Sequence, residues 1–260
     1  MSNLLESVQS TTILGLSDEK FTNESFVLQP VSQNFIFKQL KDLKVKKATG
    51  LDGISARFLK DGTSVIAPTV TFLANLSLST GIVPCDWKMA RVVPLYKSGG
   101  HASMDNYRPI SILPVMSKIM EKAVNVQLQR YLQRLDLLSP FQAWFRQHHS
   151  TESAVLYFTD EIRTSPESGK LTGALFIDLR KVFDSVPHKE LLSKLRRFGF
   201  GENSINWFTS HLSDRFQAVS LDNELSSPLA VLTGVPQGNI LGPVLFMLYI
   251  NDLVSVGTTS

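Results

Sequence analysis

One aspartate of this sequence stands where a carboxylate can do chemistry. Asp178 follows four apolar or small residues, 174–177, which is the pattern of a buried strand that presents the next side chain at its C-terminal end. Carboxylate oxygens are the ligands that Mg²⁺ prefers, and phosphoryl transfer with two metal ions requires such carboxylates to converge on one point. An aspartate after a strand can equally cap the turn that follows. The strand alone leaves both interpretations open.

A second segment with chemical potential is residues 234–243, where three glycines and two prolines surround one glutamine. Gln237 carries an amide that both donates and accepts hydrogen bonds, and Gly238 beside it lets the backbone approach a ligand closely. Pro243 suits the first position of a helix. The segment therefore predicts a loop that shapes a pocket and then leads into a helix.

The apolar pattern predicts the helices and strands that must position these two segments. Periods of three and four residues, or an apolar run, predict helices over 31–47, 68–78, 116–135, 188–198, 203–212 and 244–250. Apolar runs bounded by turn signals predict strands over 91–96, 217–221 and 229–232. Residues 1–30 are rich in polar residues without a sustained period, and we interpret them as a loose leader.

Composition narrows the class of protein. The 260 residues are 43% hydrophobic, which is enough to bury a substantial core, and the net charge is only +3. The single cysteine, Cys85, excludes an internal disulfide or a zinc knuckle and fits a reducing, intracellular compartment. The longest apolar run, residues 244–250, is far shorter than the roughly 20 residues of a membrane-spanning helix. We therefore expect a globular protein with no membrane partner.

A small basic cluster precedes the turn at residues 49–53. It consists of Lys44, Lys46 and Lys47. A basic turn next to glycines can bind phosphate, but a run of charges can also be a solvated surface. The spacing does not decide between the two.

Taken together, these segments resemble the reverse transcriptase domain of non-LTR, LINE-like retrotransposons. Two core motifs carry the resemblance, residues 174–186 around Asp178 and residues 234–243 around Gln237. Three further segments are similar to elements of that family, residues 47–55, 94–111 and 140–152. The chain departs from the family pattern at four positions: Val182 replaces alanine, Asn239 replaces serine, and Trp144 and His148 replace glycines.

The resemblance also implies roles for individual residues. Asp178 would be the catalytic residue that binds Mg²⁺, and Phe183 would lie beneath the sugar of the incoming nucleotide, where an apolar ring excludes a 2′-hydroxyl. The remaining residues would bind the nucleotide (Lys97, Arg108, Gln237 and Gly238) or the template (Gly50 and Arg146). Arginine suits bidentate phosphate contact, and lysine adds a mobile point charge.

For the fold, the resemblance implies an α/β (α+β) chain with the fingers and part of the palm of a right-hand polymerase. Residues 31–170 would form mainly fingers, residues 171–260 a partial palm, and the thumb would be absent. The intact enzyme would use an RNA template, a DNA primer, deoxynucleoside triphosphates and Mg²⁺. The family's Ala-Asp-Asp motif does not occur by Ser260, so we expect a truncated fragment. The alternative function is a noncatalytic relic that binds nucleic acid, or an inactive translated fragment.

Overall fold

A computed structural model describes residues 20–139, 142, 150–167, 176, 182–222 and 224–253 of the chain. Its helices are α1 Gln33–Lys41, α2 Ala56–Asp61, α3 Thr63–Thr80, α4 Val115–Arg134, α5 Thr151–Glu167, α6 His188–Arg197, α7 Glu202–Leu212 and α8 Gly242–Ile250. Its strands are β1 Met89–Tyr96, β2 Tyr107–Ile112, β3 Arg215–Leu221, β4 Glu224–Leu225 and β5 Leu229–Val231. The predicted mixed α/β class is confirmed.

The strands among the described residues form one mixed sheet. Its order is β2-β1-β3-β4, and β5 also pairs with β3. β1 and β2 are an antiparallel hairpin in which Leu95 pairs with Arg108. β1 and β3 run parallel, with Met89 paired to Phe216. The parallel pair brings two chain segments more than 100 residues apart into the same sheet.

Local signals explain where several helices begin and end. The hydroxyls of Ser32 and Ser55 accept hydrogen bonds from backbone N–H groups in the first turns of α1 and α2, each at 3.2 Å. Gly199 follows α6 with φ of +80°, and a Cβ there would lie 2.3 Å from a backbone oxygen. Only glycine fits that position without strain.

Buried apolar side chains of several helices form a core cluster. It includes Val124, Leu128 and Leu132 of α4 together with side chains of α1, α3, α6, α7 and α8. Such burial is the main source of stability for a helix in a protein. No helix among the described residues is both long enough and apolar enough to span a bilayer.

Three predicted boundaries need correction. α1 ends at Lys41, so the basic cluster lies after the helix. α3 begins at Thr63, five residues before Pro68, because its apolar face continues through the proline. Phe26 and Leu28, assigned to the loose leader, are buried in the core, so that interpretation is wrong at these two residues. Residues 1–19 lie outside the described part of the chain.

Candidate nucleotide-binding site

Four of the residues predicted to bind a nucleotide line one cavity of about 870 Å³. Lys97 and Arg108 come from the β1–β2 hairpin, Phe183 from the turn before α6, and Gln237 from the loop before α8. Val219 and Leu221 of β3 also line it. A cavity of this size, with apolar walls and a few polar groups, suits a small organic ligand.

The β1–β2 hairpin determines where the two cations lie. The Lys97 N–H donates to the carbonyl oxygen of Asn106 at 2.8 Å and continues the hairpin pairing past Tyr96. The Tyr96 ring stacks on His101 with a centroid distance of 4.1 Å, and its hydroxyl donates to the Gly99 carbonyl at 2.5 Å. These contacts order the turn between the strands. Lys97 and Arg108 are exposed, so both can reach a bound anion.

Phe183 forms part of the apolar wall. Its ring lies 4.9 Å from the ring of Phe246 on α8, centroid to centroid. The Val235 N–H donates to the Phe183 carbonyl at 2.6 Å, which ties this turn to the loop before α8. The bulky Val182, where the resembling family has alanine, lines the same cavity.

Gln237 is held by a carboxylate at the cavity wall. Its Nε2 donates to both oxygens of Asp184, at 3.2 and 3.1 Å. The turn residue Asp184, to which the sequence assigned no role in the site, therefore fixes the amide. Because the amide nitrogen is engaged by Asp184, the carbonyl oxygen of the side chain is left to accept from a ligand.

Glycines allow the loop to lie against its neighbours. Gly238 has φ of +106°, and a Cβ there would lie 2.7 Å from the Ser111 carbonyl oxygen of β2. Gly234 has φ of +85°, and a Cβ there would lie 2.6 Å from the Asp184 Cα. Side chains at these positions would separate the loop from β2 and from the Asp184 turn. Gly238 does not line the cavity, so its contact with a nucleotide stays a prediction.

A buried acidic residue that the sequence did not reveal lies beneath this loop. Glu121 of α4 is fully buried, and its carboxylate accepts from the backbone N–H groups of Ile240 and Leu241. Burial raises the pKa of Glu121, while the two N–H groups and the nearby Arg215 act in the opposite direction. The sequence offers no signal for this burial, because three of the four neighbours of Glu121 at three- and four-residue steps along α4 are polar: Ser117, Lys118 and Asn125.

The predicted template residues are only partly described. Gly50 is buried, and a Cβ there would lie 2.9 Å from the backbone nitrogen of Pro114 at the start of α4. Close packing therefore requires glycine at this position, and template contact stays a prediction. The basic cluster is exposed. Burial and, less strongly, the Lys47 charge lower the pKa of the nearby Lys118.

Asp178, the expected metal ligand, lies outside the described residues. Arg146, Trp144 and His148 lie outside them as well. Phe176 is described, and its ring is 82% exposed and lies 5.6 Å from Phe158 of α5, so the predicted buried strand is wrong at that residue. Within the described part of the chain, no three His, Cys, Asp or Glu side chains form a group that could hold a metal. These residues alone do not make a Mg²⁺ site.

Comparison with known proteins identifies the class of domain. Residues 96–257 match the family described as reverse transcriptase (RNA-dependent DNA polymerase). The chain belongs to this family, as its motifs had predicted, and is a reverse transcriptase domain of the non-LTR retrotransposon type. Reverse transcriptases generally use divalent metal ions.

Three of the similar proteins come from mobile elements of Drosophila melanogaster. The chain is 32% identical to a probable RNA-directed DNA polymerase from transposon BS and 29% identical to the RNA-directed DNA polymerase from mobile element jockey, each over 88% of its length. It is 30% identical, over 80% of its length, to a probable RNA-directed DNA polymerase from transposon X-element. The chain spans 23–25% of the length of these relatives.

Proposed function

We propose that this chain is the fingers and part of the palm of an RNA-directed DNA polymerase, and that its cavity binds the incoming deoxynucleoside triphosphate. One observation carries the proposal. Lys97, Arg108, Phe183 and Gln237 are four of the five residues that the sequence predicts to bind the nucleotide, and they line one cavity. They come from three chain segments that lie far apart in sequence.

Each group has a distinct task in this proposal. Lys97 and Arg108 bind the triphosphate, because two exposed cations at one rim offset its negative charge. Phe183 lies beneath the sugar and leaves no room for a 2′-hydroxyl. Gln237 accepts a hydrogen bond from the nucleotide or from the template near it through its side-chain oxygen.

The catalytic carboxylate in this proposal is Asp178. Asp178 would hold Mg²⁺, whose charge would offset that of the triphosphate while the primer's 3′-hydroxyl oxygen bonds to the α-phosphorus of the nucleotide and pyrophosphate leaves. Gly50 and Arg146 would contact the template, and Gly238 would contact the nucleotide. The substrates would be an RNA template, a DNA primer and deoxynucleoside triphosphates, in the protein that contains this chain.

Nucleotide binding by the 260-residue chain tests the cavity directly. We expect the double variant Lys97→Ala, Arg108→Ala to bind deoxynucleoside triphosphate at least tenfold more weakly, because each charge-assisted hydrogen bond contributes about 1.5–3 kcal/mol. Isothermal titration calorimetry would measure the affinity for the nucleotide. The matched control is Arg57→Ala, Lys189→Ala, which removes two exposed cations that do not line the cavity. Equal affinity for the two double variants would refute the assignment.

Catalysis is tested in a chimaera. This chain would replace the matching quarter of the jockey RNA-directed DNA polymerase, and primer extension on RNA would be measured. We expect Asp178→Asn to abolish extension, and Asp61→Asn, at the exposed last residue of α2, to leave it intact. An active Asp178→Asn chimaera would rule out Asp178 as the metal ligand.

A further inference from the structure

Glu121 connects helix α4 to the loop that carries Gln237. Its Oε2 accepts from the Ile240 N–H at 2.6 Å and from the Leu241 N–H at 3.3 Å. Both donors lie immediately before α8, with Leu241 at its N-cap, where backbone N–H groups have no partner within the helix. The carboxylate supplies those partners and a charge that complements the helix dipole.

The surroundings of Glu121 are adapted to a carboxylate. Its Oε1 accepts from the Ser117 hydroxyl at 3.2 Å, one turn earlier on α4. The Arg215 guanidinium of β3, also buried, contributes a nearby positive charge. Burying a carboxylate costs free energy unless hydrogen bonds and charges offset the lost hydration. Here three donors and one cation act against that cost, and burial still raises the pKa of Glu121.

The loop has a second anchor on the same stretch of chain. The backbone N–H of Ser111 in β2 donates to the backbone carbonyl oxygen of Gln237 at 2.9 Å. Only two residues separate β2 from α4, so residues 107–121 hold the loop at both ends. The same stretch carries Arg108.

We propose that Glu121 is a positioning residue of the nucleotide site, which sets the place of Gln237 relative to Arg108. The carboxylate holds residues 240 and 241 through their backbone N–H groups, and the Ser111 N–H holds the backbone carbonyl of residue 237. These contacts restrain the loop between them. The effect on nucleotide binding rests on the proposed function. The restraint on the loop rests on the contacts of Glu121 alone.

Amide hydrogen exchange of the 260-residue chain tests the restraint without any ligand. Glu121→Gln keeps the size of the side chain but removes the charge, and Glu121→Asp keeps the charge but shortens the reach. We expect both variants to speed exchange in residues 239–242 about tenfold or more, the effect of losing a hydrogen bond to a charged group. Exchange in α1 and α3 should stay as in the parent.

The matched control is Ser117→Ala, which perturbs the same buried cluster but leaves both backbone hydrogen bonds of the carboxylate intact. It should keep the loop as protected as in the parent. Equal acceleration in Ser117→Ala and Glu121→Gln, or acceleration that spreads to α1 and α3, would show a general role in the core and overturn the proposal. Loss of the folded state in either Glu121 variant would do the same.

Two ligands separate the restraint from the proposed function. We expect Glu121→Gln to bind deoxynucleoside triphosphate about tenfold more weakly, because Gln237 is misplaced. Its affinity for inorganic tripolyphosphate, which requires only Lys97 and Arg108, should not change. If the parent binds neither ligand, the proposed function fails, and the exchange experiment still decides the role of Glu121. Equal weakening for both ligands would overturn the positioning role.

Discussion

At the scale of single residues, the hydrogen bonds between Gln237 and Asp184 are the most informative contact of the site. An amide side chain can rotate to present either its oxygen or its nitrogen, but donation to a carboxylate fixes one orientation. Asp184 therefore decides which hydrogen bond Gln237 can offer to a ligand. The two residues should act as a unit.

A double-mutant cycle tests that unit. We expect Asp184→Ala and Gln237→Ala each to weaken binding of deoxynucleoside triphosphate about tenfold, and the double variant to be little worse than either single variant. Titration of the four proteins gives the coupling free energy. Asp61→Ala, at an exposed position, is the control for loss of one negative charge. Additive effects would mean that Asp184 and Gln237 act independently.

Phe183 supports a second prediction at this scale. Replacing its ring by the smaller valine opens space beneath the sugar, so Phe183→Val should strengthen binding of ribonucleoside triphosphates relative to deoxynucleoside triphosphates by about tenfold or more. Competition titrations measure the ratio. Phe37→Val, which removes an exposed ring from α1, should leave the ratio of the two affinities unchanged. Unaltered discrimination in Phe183→Val would remove the ring from the sugar site.

At the scale of elements, the packing of the loop before α8 against β2 depends on Gly238. The backbone of Gly238 adopts a left-handed conformation and lies against Ser111. Gly238→Ala adds both backbone strain and a clash, so we expect the free energy of unfolding to fall by about 1–3 kcal/mol. Urea denaturation measures it. Gly100→Ala is the matched control, because a Cβ at Gly100 meets no atom within 4 Å. Equal stability of the two variants would contradict the close packing of Gly238 against Ser111.

Sequence patterns predicted most elements, because apolar periodicity reports which face of an element is buried. They predicted β1, α4 and the start of α8 well, but they assigned no strand to β2 and no helix to α2. They missed α5, whose described side chains are exposed and lack a buried face that would mark it. They also missed Asp184 and Glu121, because the partners of both lie in distant segments and hydrogen bonds across such distances leave no local pattern.

At the scale of the whole molecule, a buried histidine links stability to pH. His211 of α7 is buried against Trp207, with ring centroids 5.2 Å apart. Burial, and then the charges of Arg215, Lys88 and His188, hold its pKa well below the ordinary value of 6.5. The unfolded chain therefore binds a proton near pH 6.5 that the folded chain does not bind.

The sign of the effect follows from proton linkage. Stability should be lost as the pH falls below about 6.5 toward the pKa of the folded state, with a slope of at most about 1.4 kcal/mol per pH unit. In His211→Phe this contribution should vanish. The measurement is the difference in free energy of unfolding between parent and variant, by urea denaturation from pH 5 to 8. A difference that is constant with pH would show that His211 does not contribute.

The parallel pairing of β1 with β3 bears on how the chain reaches its folded state. β1 ends at residue 96, and β3 begins at residue 215. During synthesis on a ribosome, the β1–β2 hairpin is complete long before β3 is made. Until then, the backbone groups on one edge of β1 have no hydrogen-bonding partner strand. Long-range pairing of this kind slows folding, and such an edge can pair with other chains meanwhile. The cavity, which needs both strands, is therefore among the last features to form.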